Sequence, residues 1–269
     1  MREMMETTEH EQGKLASAGL FIASVGKAFQ VLETFAEPES ELSLTEVSDR
    51  CNVGRSAVQR ILFTLTSIGY LIQDQQSRRY RLSPKILALT RSYATADRLR
   101  AKAQDVLERV NRECEETVNL TILDDTEVVY VSRLPSKHIV SVNLSVGVRL
   151  PAFATAPGRA ILANLSEKRV DEILAKSNLV KMTEATETRI DKLKRILRDV
   201  KRNGYALSNQ EGFVGDISVA APVFDESGTI VAAINIAVAS PRWKLKEVRA
   251  KLVPLVMDAA AQVTTALAG

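Results

Sequence analysis

Residues 43–71 read SLTEVSDRCNVGRSAVQRILFTLTSIGYL, and their pattern predicts the fold of the first part of the chain. It opens with Ser43 and Glu46 at the spacing of a capping box, in which the two side chains satisfy each other's backbone amides at a helix start. A short helix is predicted to follow and to stop at Asn52-Val53-Gly54. A second helix is predicted from Arg55, because apolar residues recur at helical spacing up to a glycine stop. Two short helices joined by a three-residue turn predict a helix-turn-helix.

The segments on either side extend this motif to a winged helix-turn-helix. Upstream, SVGKAFQVLETFA has apolar residues at helical spacing from Ser24 onward. Downstream, the β-prone runs YLIQ and RYRL flank the polar DQQSR, which predicts a hairpin or wing. Ser83-Pro84 then begins another helix. The predicted organisation is a disordered arm at 1–20, a winged helix-turn-helix at 21–83, a linker helix at 84–97, and a second domain at 98–269.

The net charge of +3 is unevenly distributed along the 269 residues. Residues 50–91 hold eight basic side chains and the single acid Asp74, a net charge of +7, so the remainder carries −4. A basic block of this density can neutralise the phosphate backbone of DNA, although a basic run by itself is also typical of a solvated surface. The order of cap, turn, arginines and hairpin favours binding to double-stranded DNA.

In a winged helix-turn-helix the second helix enters the major groove and the wing lies along phosphates. Arginine and glutamine side chains can each bond a base edge in two places. The candidate DNA contacts are Arg55, Ser56, Gln59 and Arg60 on the second helix, and Arg78 and Arg79 on the wing.

Beyond the linker, strand patterns and helix patterns alternate. The predicted strands are VNLTILDD, EVVYVSRL, IVSVNLSV, YALSN, ISVAAPVFD and TIVAAINIAVA. The predicted helices are LRAKAQDVLERVNRECEET, TAPGRAILANL, RIDKLKRILRDVKRNG and a terminal WKLKEVRAKLVPLVMDAAAQVTTAL that Pro254 is expected to kink. This order predicts an α+β domain with a central, mostly antiparallel sheet.

Several function classes are not expected. No apolar run reaches the roughly 20 residues that cross a bilayer, and the acidic start lacks a signal-peptide pattern, so we expect a cytoplasmic protein without a membrane partner. Cys51 and Cys114 are far apart and His10 and His138 are isolated, which argues against disulfides, metal sites and cofactors. The sequence has no nucleophile elbow, phosphate-binding glycine loop or dinucleotide fingerprint, so no catalytic residues are expected.

Five segments, in order, make the chain resemble IclR-family transcriptional regulators. They are SVGKAFQVLETFA, LTEVSDRCNVGRSAVQRILFTLTSIGYL, RYRLSPKILAL, LPAFATAPGRAILA and GYALSNQEGFVGDISVAAPVFDESGTIVAAINIAV. The resemblance covers nearly everything from residue 24 onward. It implies a linker helix, a GAF-like effector-binding domain, and dimers that pair into tetramers. NLSVGVRLPAFATAPGRAILA further resembles the branch that responds to aromatic acids, which includes regulators of protocatechuate and 4-hydroxybenzoate catabolism.

The resemblance also implies an effector pocket at the sheet. Ala156, Pro157 and Gly158 precede a helix, where free amides and the helix dipole favour a ligand carboxylate. Ser218 and Asn235 are polar residues in apolar strands, and buried polar groups need partners. A bound ligand, a neighbouring loop or solvent would each satisfy them, and the matching family positions line the effector pocket.

Two further positions bear on which acid binds. Ser208 matches a family position that is often acidic, and Ala237 one that can be serine. Ser208 should repel an anionic ligand less than a carboxylate would, and Ala237 together with Pro157 at the helix entrance makes the pocket more apolar. These features favour an aromatic or larger carboxylate over a small keto acid. Arg133 and Arg149 are candidate counter-ions, although exposed arginines are usually plain surface.

The sequence therefore predicts a DNA-binding regulator, a homodimer or tetramer, whose small organic acid effector changes the spacing or orientation of two recognition helices. In one alternative, the second domain only oligomerises. In another, the chain is an enzyme with an accessory DNA-binding head, and His138 is its remaining imidazole base because His10 lies in the arm.

Overall fold

The computed structural model describes residues 20–36, 41–90, 98–138 and 144–269. Its contacts divide the chain into two compact units, Met1–Ala96 and Asp97–Gly269. The predicted arm, apart from residue 20, and the predicted linker helix beyond residue 90 lie outside the described residues. Within the described ranges, no helix combines the length and the apolar character needed to cross a membrane.

The first unit is a winged helix-turn-helix, as predicted. In chain order its elements are α1 (Ala23–Glu33), a 3-10 turn (Thr34–Ala36), α2 (Leu44–Arg50), α3 (Arg55–Ser67), β1 (Leu71–Gln73) and β2 (Tyr80–Leu82). The strands β1 and β2 pair antiparallel, and Leu71 lies opposite Leu82. The chain is helical again over 86–90, at the start of the predicted linker helix.

Local chemistry fixes the helix ends of this unit. The predicted capping box is present at α2, because the Ser43 amide donates to Glu46 Oε2 at 2.7 Å and the Glu46 amide donates to Ser43 Oγ at 3.3 Å. After α3, Gly69 adopts a φ of +82°, a conformation that glycine tolerates and that reverses the chain into the wing. One core cluster, which includes Val47, Val58 and Leu62, holds α2 and α3 together.

The second unit is an α+β domain, as predicted. Its helices and strands are α4 (Arg98–Cys114), β3 (Thr117–Asp124), β4 (Glu127–Leu134), β5 (Arg149–Pro151), α5 (Ala156–Leu162), α6 (Glu167–Lys176), α7 (Ile190–Asn203), β6 (Ala206–Asn209), β7 (Asp216–Phe224), β8 (Ile230–Ala239), α8 (Leu245–Glu247) and α9 (Val253–Ala268). The six strands form one sheet in the order β5-β4-β3-β8-β7-β6. Every neighbouring pair is antiparallel.

The two faces of this sheet meet different helices. Val118, Ile234 and other residues of one face share a core cluster with apolar side chains of α4 and α9. Ala220, Ala233 and other residues of the opposite face share a second cluster with α5 and α7. Because side chains alternate along a strand, a single strand can contribute to both clusters, as β7 does with Val219 and Ala220. The candidate effector site lies on the second of these faces.

The structure differs from the sequence prediction at three elements. Helix α6, capped by Ser166, was not predicted. The strand predicted at 139–146 lies partly outside the described residues, and 144–148 contain no strand, whereas β5 pairs with β4 at 149–151. The terminal helix contains a π-helical segment, Val248–Leu252, directly before Pro254. Proline lacks an amide donor, and the loss of one helical hydrogen bond accounts for this local widening.

Candidate DNA-binding surface and effector cavity

The four candidate contacts on α3 lie together on its outer surface. Arg55, Ser56, Gln59 and Arg60 are all exposed. Their spacing places them on one face of the helix, and Val58 and Leu62 on the other face are fully buried. Two guanidinium groups and one amide are thus exposed at the start of α3. In a helix-turn-helix, the start of this second helix of the motif contacts the base edges.

The tip of the wing is a turn built around Asp74. Its Oδ1 accepts the amide of Gln76 at 3.0 Å and the amide and hydroxyl of Ser77 at 2.7 and 2.9 Å. The bonds from Ser77, above all, lower the pKa of Asp74. Arg78 follows with a φ of +58°, and its side chain is exposed. This side chain is presented to solvent on a tightly fixed turn.

Arg79 differs from the expectation of a phosphate contact. Its Nη2 donates to both carboxylate oxygens of Glu46 at 2.8 Å, and Nε and Nη2 donate to the Glu41 carbonyl at 3.1 and 2.9 Å. The Ser43 bonds together with Arg79 lower the pKa of Glu46 to about 2. The guanidinium is therefore engaged within the protein, where it joins the wing to the capping box of α2.

A cavity of about 250 Å³ lies against the sheet of the second unit. Six of the seven predicted effector residues line it, and these are Ala156, Pro157, Ser208, Ser218, Asn235 and Ala237. The strand register explains part of this grouping, since Ser208 pairs with Ser218 and Ser218 pairs with Ala237. The volume is slightly below the roughly 300–1,000 Å³ typical of small-molecule sites.

Gly158 differs from the expectation, since it is absent from the cavity wall. Its amide donates to Thr155 Oγ1 at 3.2 Å, so the start of α5 is capped by a side chain. A Cβ at this position would collide with the backbone of Ala152. The glycine therefore serves close backbone packing, and its amide is not open to a ligand.

The polar residues in the apolar strands are partners of one another. Asn235 is 1% exposed, its Nδ2 donates to Ser218 Oγ at 3.0 Å, and its Oδ1 accepts from Asn119 Nδ2 at 3.3 Å. Arg133 Nη1 donates to Asn119 Oδ1 at 3.2 Å. We call Arg133, Asn119, Asn235 and Ser218 the polar row. It crosses four adjacent strands and satisfies buried groups without a loop or solvent.

A β-bulge brings Arg133 to the cavity. Leu120 pairs with Ser132 and Thr121 with Tyr130, so Val131 is the extra residue in β4. Tyr130 and Arg133, three residues apart, therefore both line the cavity. Burial raises the pKa of Tyr130 and lowers the pKa of Arg133. Among the described residues of the cavity wall, Arg133 has the one cationic side chain.

Arg149, the other candidate counter-ion, lies elsewhere. Its Nη1 and Nε donate to Asp124 and Glu127, each at 2.8 Å, and it does not line the cavity. The attraction of these carboxylates outweighs desolvation and raises its pKa. Arg149 is thus a surface ion-pair residue that holds β5 next to β4.

A buried ion pair, missed at the sequence level, holds a loop at the cavity. Arg159 is 1% exposed, and its Nη1 and Nη2 donate to the Glu211 carboxylate at 2.6 Å each. Its Nε donates to the Phe153 carbonyl, and the Thr186 hydroxyl donates to the Glu211 carbonyl. Glu211 lies in the loop 210–215 between β6 and β7, and the four residues that follow it in this loop line the cavity wall. The pair therefore positions this wall.

Asp216 is a second cavity residue that sequence reasoning missed. It begins β7 and lines the cavity two residues before Ser218. Burial raises the pKa of its carboxyl to about 7, and nearby Arg133 opposes the shift. A polar residue at the edge of an apolar strand was the available signal. The predicted strand began one residue later, at Ile217, so Asp216 was not included in it.

Comparisons with known proteins match the two units to two domains of one protein family. The family pattern described as IclR helix-turn-helix domain matches residues 24–75, and that described as bacterial transcriptional regulator IclR C-terminal matches residues 91–265. The Pca regulon regulatory protein of Pseudomonas putida is 31% identical over 250 residues, which are 93% of this chain and 85% of that protein.

Solved structures give the same result. The IclR transcriptional regulator from Alicyclobacillus acidocaldarius has a TM-score of 0.81 and 28% identity, and the match covers 93% of this chain and all of the other. An IclR homologue from Microbacterium hydrocarbonoxydans, complexed with 4-hydroxybenzoate, has a TM-score of 0.77 and 26% identity, with coverage of 91% and 98%. The winged helix-turn-helix, the antiparallel sheet of the second unit and the two matching family patterns together show that this chain belongs to the IclR family of bacterial transcriptional regulators.

Proposed function

We propose that this regulator binds a small aromatic acid in the cavity of its second unit, and that the bound acid changes the affinity of the helix-turn-helix for its DNA operator. The observation that carries the proposal is the polar row that ends in Arg133. One cation and a series of amide and hydroxyl groups are suited to a carboxylate held at a fixed position.

The rest of the cavity wall suits a ring. Leu144, Leu150, Pro157 and Phe213 contribute apolar surface around the polar row. An apolar cavity with a few convergent polar groups is the usual form of a site for a small organic molecule. The Pca relative and the 4-hydroxybenzoate complex support an aromatic acid as the ligand class.

The DNA-binding half of the proposal rests on exposed side chains of the first unit. Arg55, Ser56, Gln59 and Arg60 are the proposed groove contacts, and Arg78 is the proposed phosphate contact. Arg79 is assigned to the fold of the wing, because its guanidinium is held by Glu46.

A homodimer or tetramer belongs to the same proposal. Two recognition helices must be about 34 Å apart to read successive turns of DNA, which requires at least two copies of the chain. Ile22, Val25 and Phe29 are 64%, 48% and 57% exposed at α1, and apolar surface of this kind is often covered by another chain.

The test uses the full chain and DNA that it selects from a random pool. Aromatic acids such as 4-hydroxybenzoate and benzoate are expected to bind by calorimetry and to change the midpoint of DNA binding in fluorescence anisotropy. Arg133→Met is expected to weaken acid binding by about tenfold or more, the loss typical of one charge-assisted hydrogen bond. Arg149→Met is the matched control and should leave acid binding unchanged.

Two results would contradict the proposal. One is a preference for glyoxylate or pyruvate over aromatic acids. The other is acid binding that leaves the affinity for the selected DNA unaltered, which would favour a second unit that does not regulate DNA binding.

A further inference from the structure

Asp216 places a carboxylate in the cavity at a defined position. The residue pairs with Ala239 of β8 and lies on the same face of β7 as Ser218. Asp216 lies opposite Ala239, and Ser218 lies opposite Ala237. The side chains next to the Asp216 carboxylate on β8 are therefore small. Both alanines also line the cavity, and a ligand therefore has room to approach Asp216.

The backbone on both sides of Asp216 is held in place. The Gln210 amide donates to the Asp216 carbonyl at 2.7 Å, and the Asp216 amide donates to the Phe213 carbonyl at 3.2 Å. By contrast, no side chain among the described residues donates a hydrogen bond to the Asp216 carboxylate. A well-positioned acceptor is thus available to a ligand.

Several charged groups surround Asp216. Arg133 and Tyr130 face Asp216 from β4. Glu116 lines the cavity at the start of β3, but Arg242 Nη2 donates to it at 2.5 Å and Trp243 Nε1 donates at 2.7 Å. His138 lies 4.0 Å from the same carboxylate. Arg159 and Glu211, which do not line the cavity, form an ion pair that holds the loop 210–215.

We propose that Asp216 determines the specificity of the cavity by accepting a hydrogen bond from a hydroxyl group on the ring of the bound acid and by excluding acids with a second carboxylate. This inference rests on the proposed function, because Arg133 must bind the first carboxylate. It narrows the ligand class to hydroxylated aromatic monocarboxylates.

The physical reason is the cost of an unsatisfied charge. A carboxylate that loses solvent on ligand binding needs a donor, which a ring hydroxyl provides and a bare ring does not. A second ligand carboxylate would face Asp216 as a like charge, which is a repulsive element of the kind that selects against a competing ligand. Since burial raises the pKa of Asp216 to about 7, protonation below that pH removes the repulsion.

The experiment measures dissociation constants by calorimetry for benzoate, 4-hydroxybenzoate and terephthalate, which carry hydrogen, hydroxyl and carboxylate at the same ring position. At pH 8 the wild-type chain is expected to bind 4-hydroxybenzoate about tenfold more tightly than benzoate, as one hydrogen bond to a charged group provides. Terephthalate is expected to bind more weakly than benzoate, and this difference should shrink at pH 6.

Two variants test the residue itself. Asp216→Leu should bind 4-hydroxybenzoate and benzoate with about equal affinity, because a ring hydroxyl then gains no bond. Asp216→Asn keeps the shape and removes the charge, so terephthalate should bind about as well as benzoate at pH 8. Asp125→Asn, an exposed carboxylate paired with Lys176, is the matched control and should reproduce the wild-type ratios.

The outcomes separate the two proposals. If the wild-type chain binds the aromatic acids but the variants keep the wild-type ratios, the role of Asp216 is overturned and the proposed function stands. If the wild-type chain binds none of the three acids, the proposed function fails and this inference fails with it. Thermal unfolding of each variant verifies that it is folded.

Discussion

Arg79 donates to both carboxylate oxygens of Glu46 at 2.8 Å, and this contact joins the wing to the helix that precedes the recognition helix. The adjacent Arg78 is exposed at the tip of the same wing. Two neighbouring arginines with the same chemistry therefore have different environments. One stabilises the domain, and the other is available to a phosphate.

Replacing the two arginines one at a time should separate these roles. Arg78→Ala should weaken binding to all DNA sequences and reduce the slope of log affinity against log salt by about 1, without loss of stability. Arg79→Ala should lower the free energy of unfolding by about 1 kcal/mol, because a partly exposed ion pair and a backbone contact are lost. Anisotropy at several salt concentrations and urea unfolding give the two readouts. The assignment fails if the variants are interchangeable.

Arg60 is expected to contribute to sequence-specific binding. Arg60→Ala should weaken binding to selected DNA by about 1–3 kcal/mol while binding to random DNA changes much less, because a base contact is lost. Lys27→Ala, an exposed cation on α1, serves as the control. Equal losses on selected and random DNA would reassign Arg60 to a phosphate contact.

Asn235 connects the centre of the polar row. Asn235→Ala should lower the free energy of unfolding by about 1–3 kcal/mol, since buried groups of Asn119 and Ser218 lose their partner. Ser218→Ala removes only one end of the row and should cost less. Urea unfolding of both variants tests the order of these losses, and a larger effect at Ser218 would show that the row is not organised around Asn235.

The ion pair between Arg159 and Glu211 should be strongly coupled to stability. Glu211→Ala leaves the Arg159 charge buried without its carboxylate and should cost about 3–5 kcal/mol. Glu211→Gln should cost less, because an amide still accepts one hydrogen bond. Glu184→Ala breaks an exposed pair with Lys181 and should change stability by less than about 0.5 kcal/mol. A loss at Glu211 as small as that of the control would refute the role of the pair.

Asp216 should make stability depend on pH. Its pKa rises from 3.8 in the reference state to about 7 in the folded protein, so the folded state keeps a proton that the unfolded chain releases. The associated stability is fully present below pH 3.8 and is lost as the pH rises to about 7. Asp216→Asn should therefore gain about 1–2 kcal/mol relative to wild type between pH 5 and pH 8, less than the full shift implies because the cavity is open to solvent. Urea unfolding at both pH values measures the change, and parallel pH profiles would contradict it.

Local patterns were sufficient for most of the secondary structure and for the exposed position of the candidate DNA contacts on α3. The capping box at Ser43 and the exposed face at Arg55 and Arg60 depend on residues close in sequence, so periodicity and spacing predict them. The missed helix α6 has the same kind of signal, with a Ser166 cap.

Partners and orientations required the tertiary structure. Three side-chain hydrogen bonds join residues that are far apart in sequence: Arg79 and Glu46 are separated by 33 residues, Arg159 and Glu211 by 52, and Asn119 and Asn235 by 116. Such pairs follow from strand register and packing, which local sequence does not encode. The bulge in β4 reverses the alternation of faces and brings Arg133 into the cavity. Most elements and the kinds of residue in the candidate site thus follow from local sequence. Which of these residues share the cavity depends on the register between distant strands, which is a property of the tertiary structure.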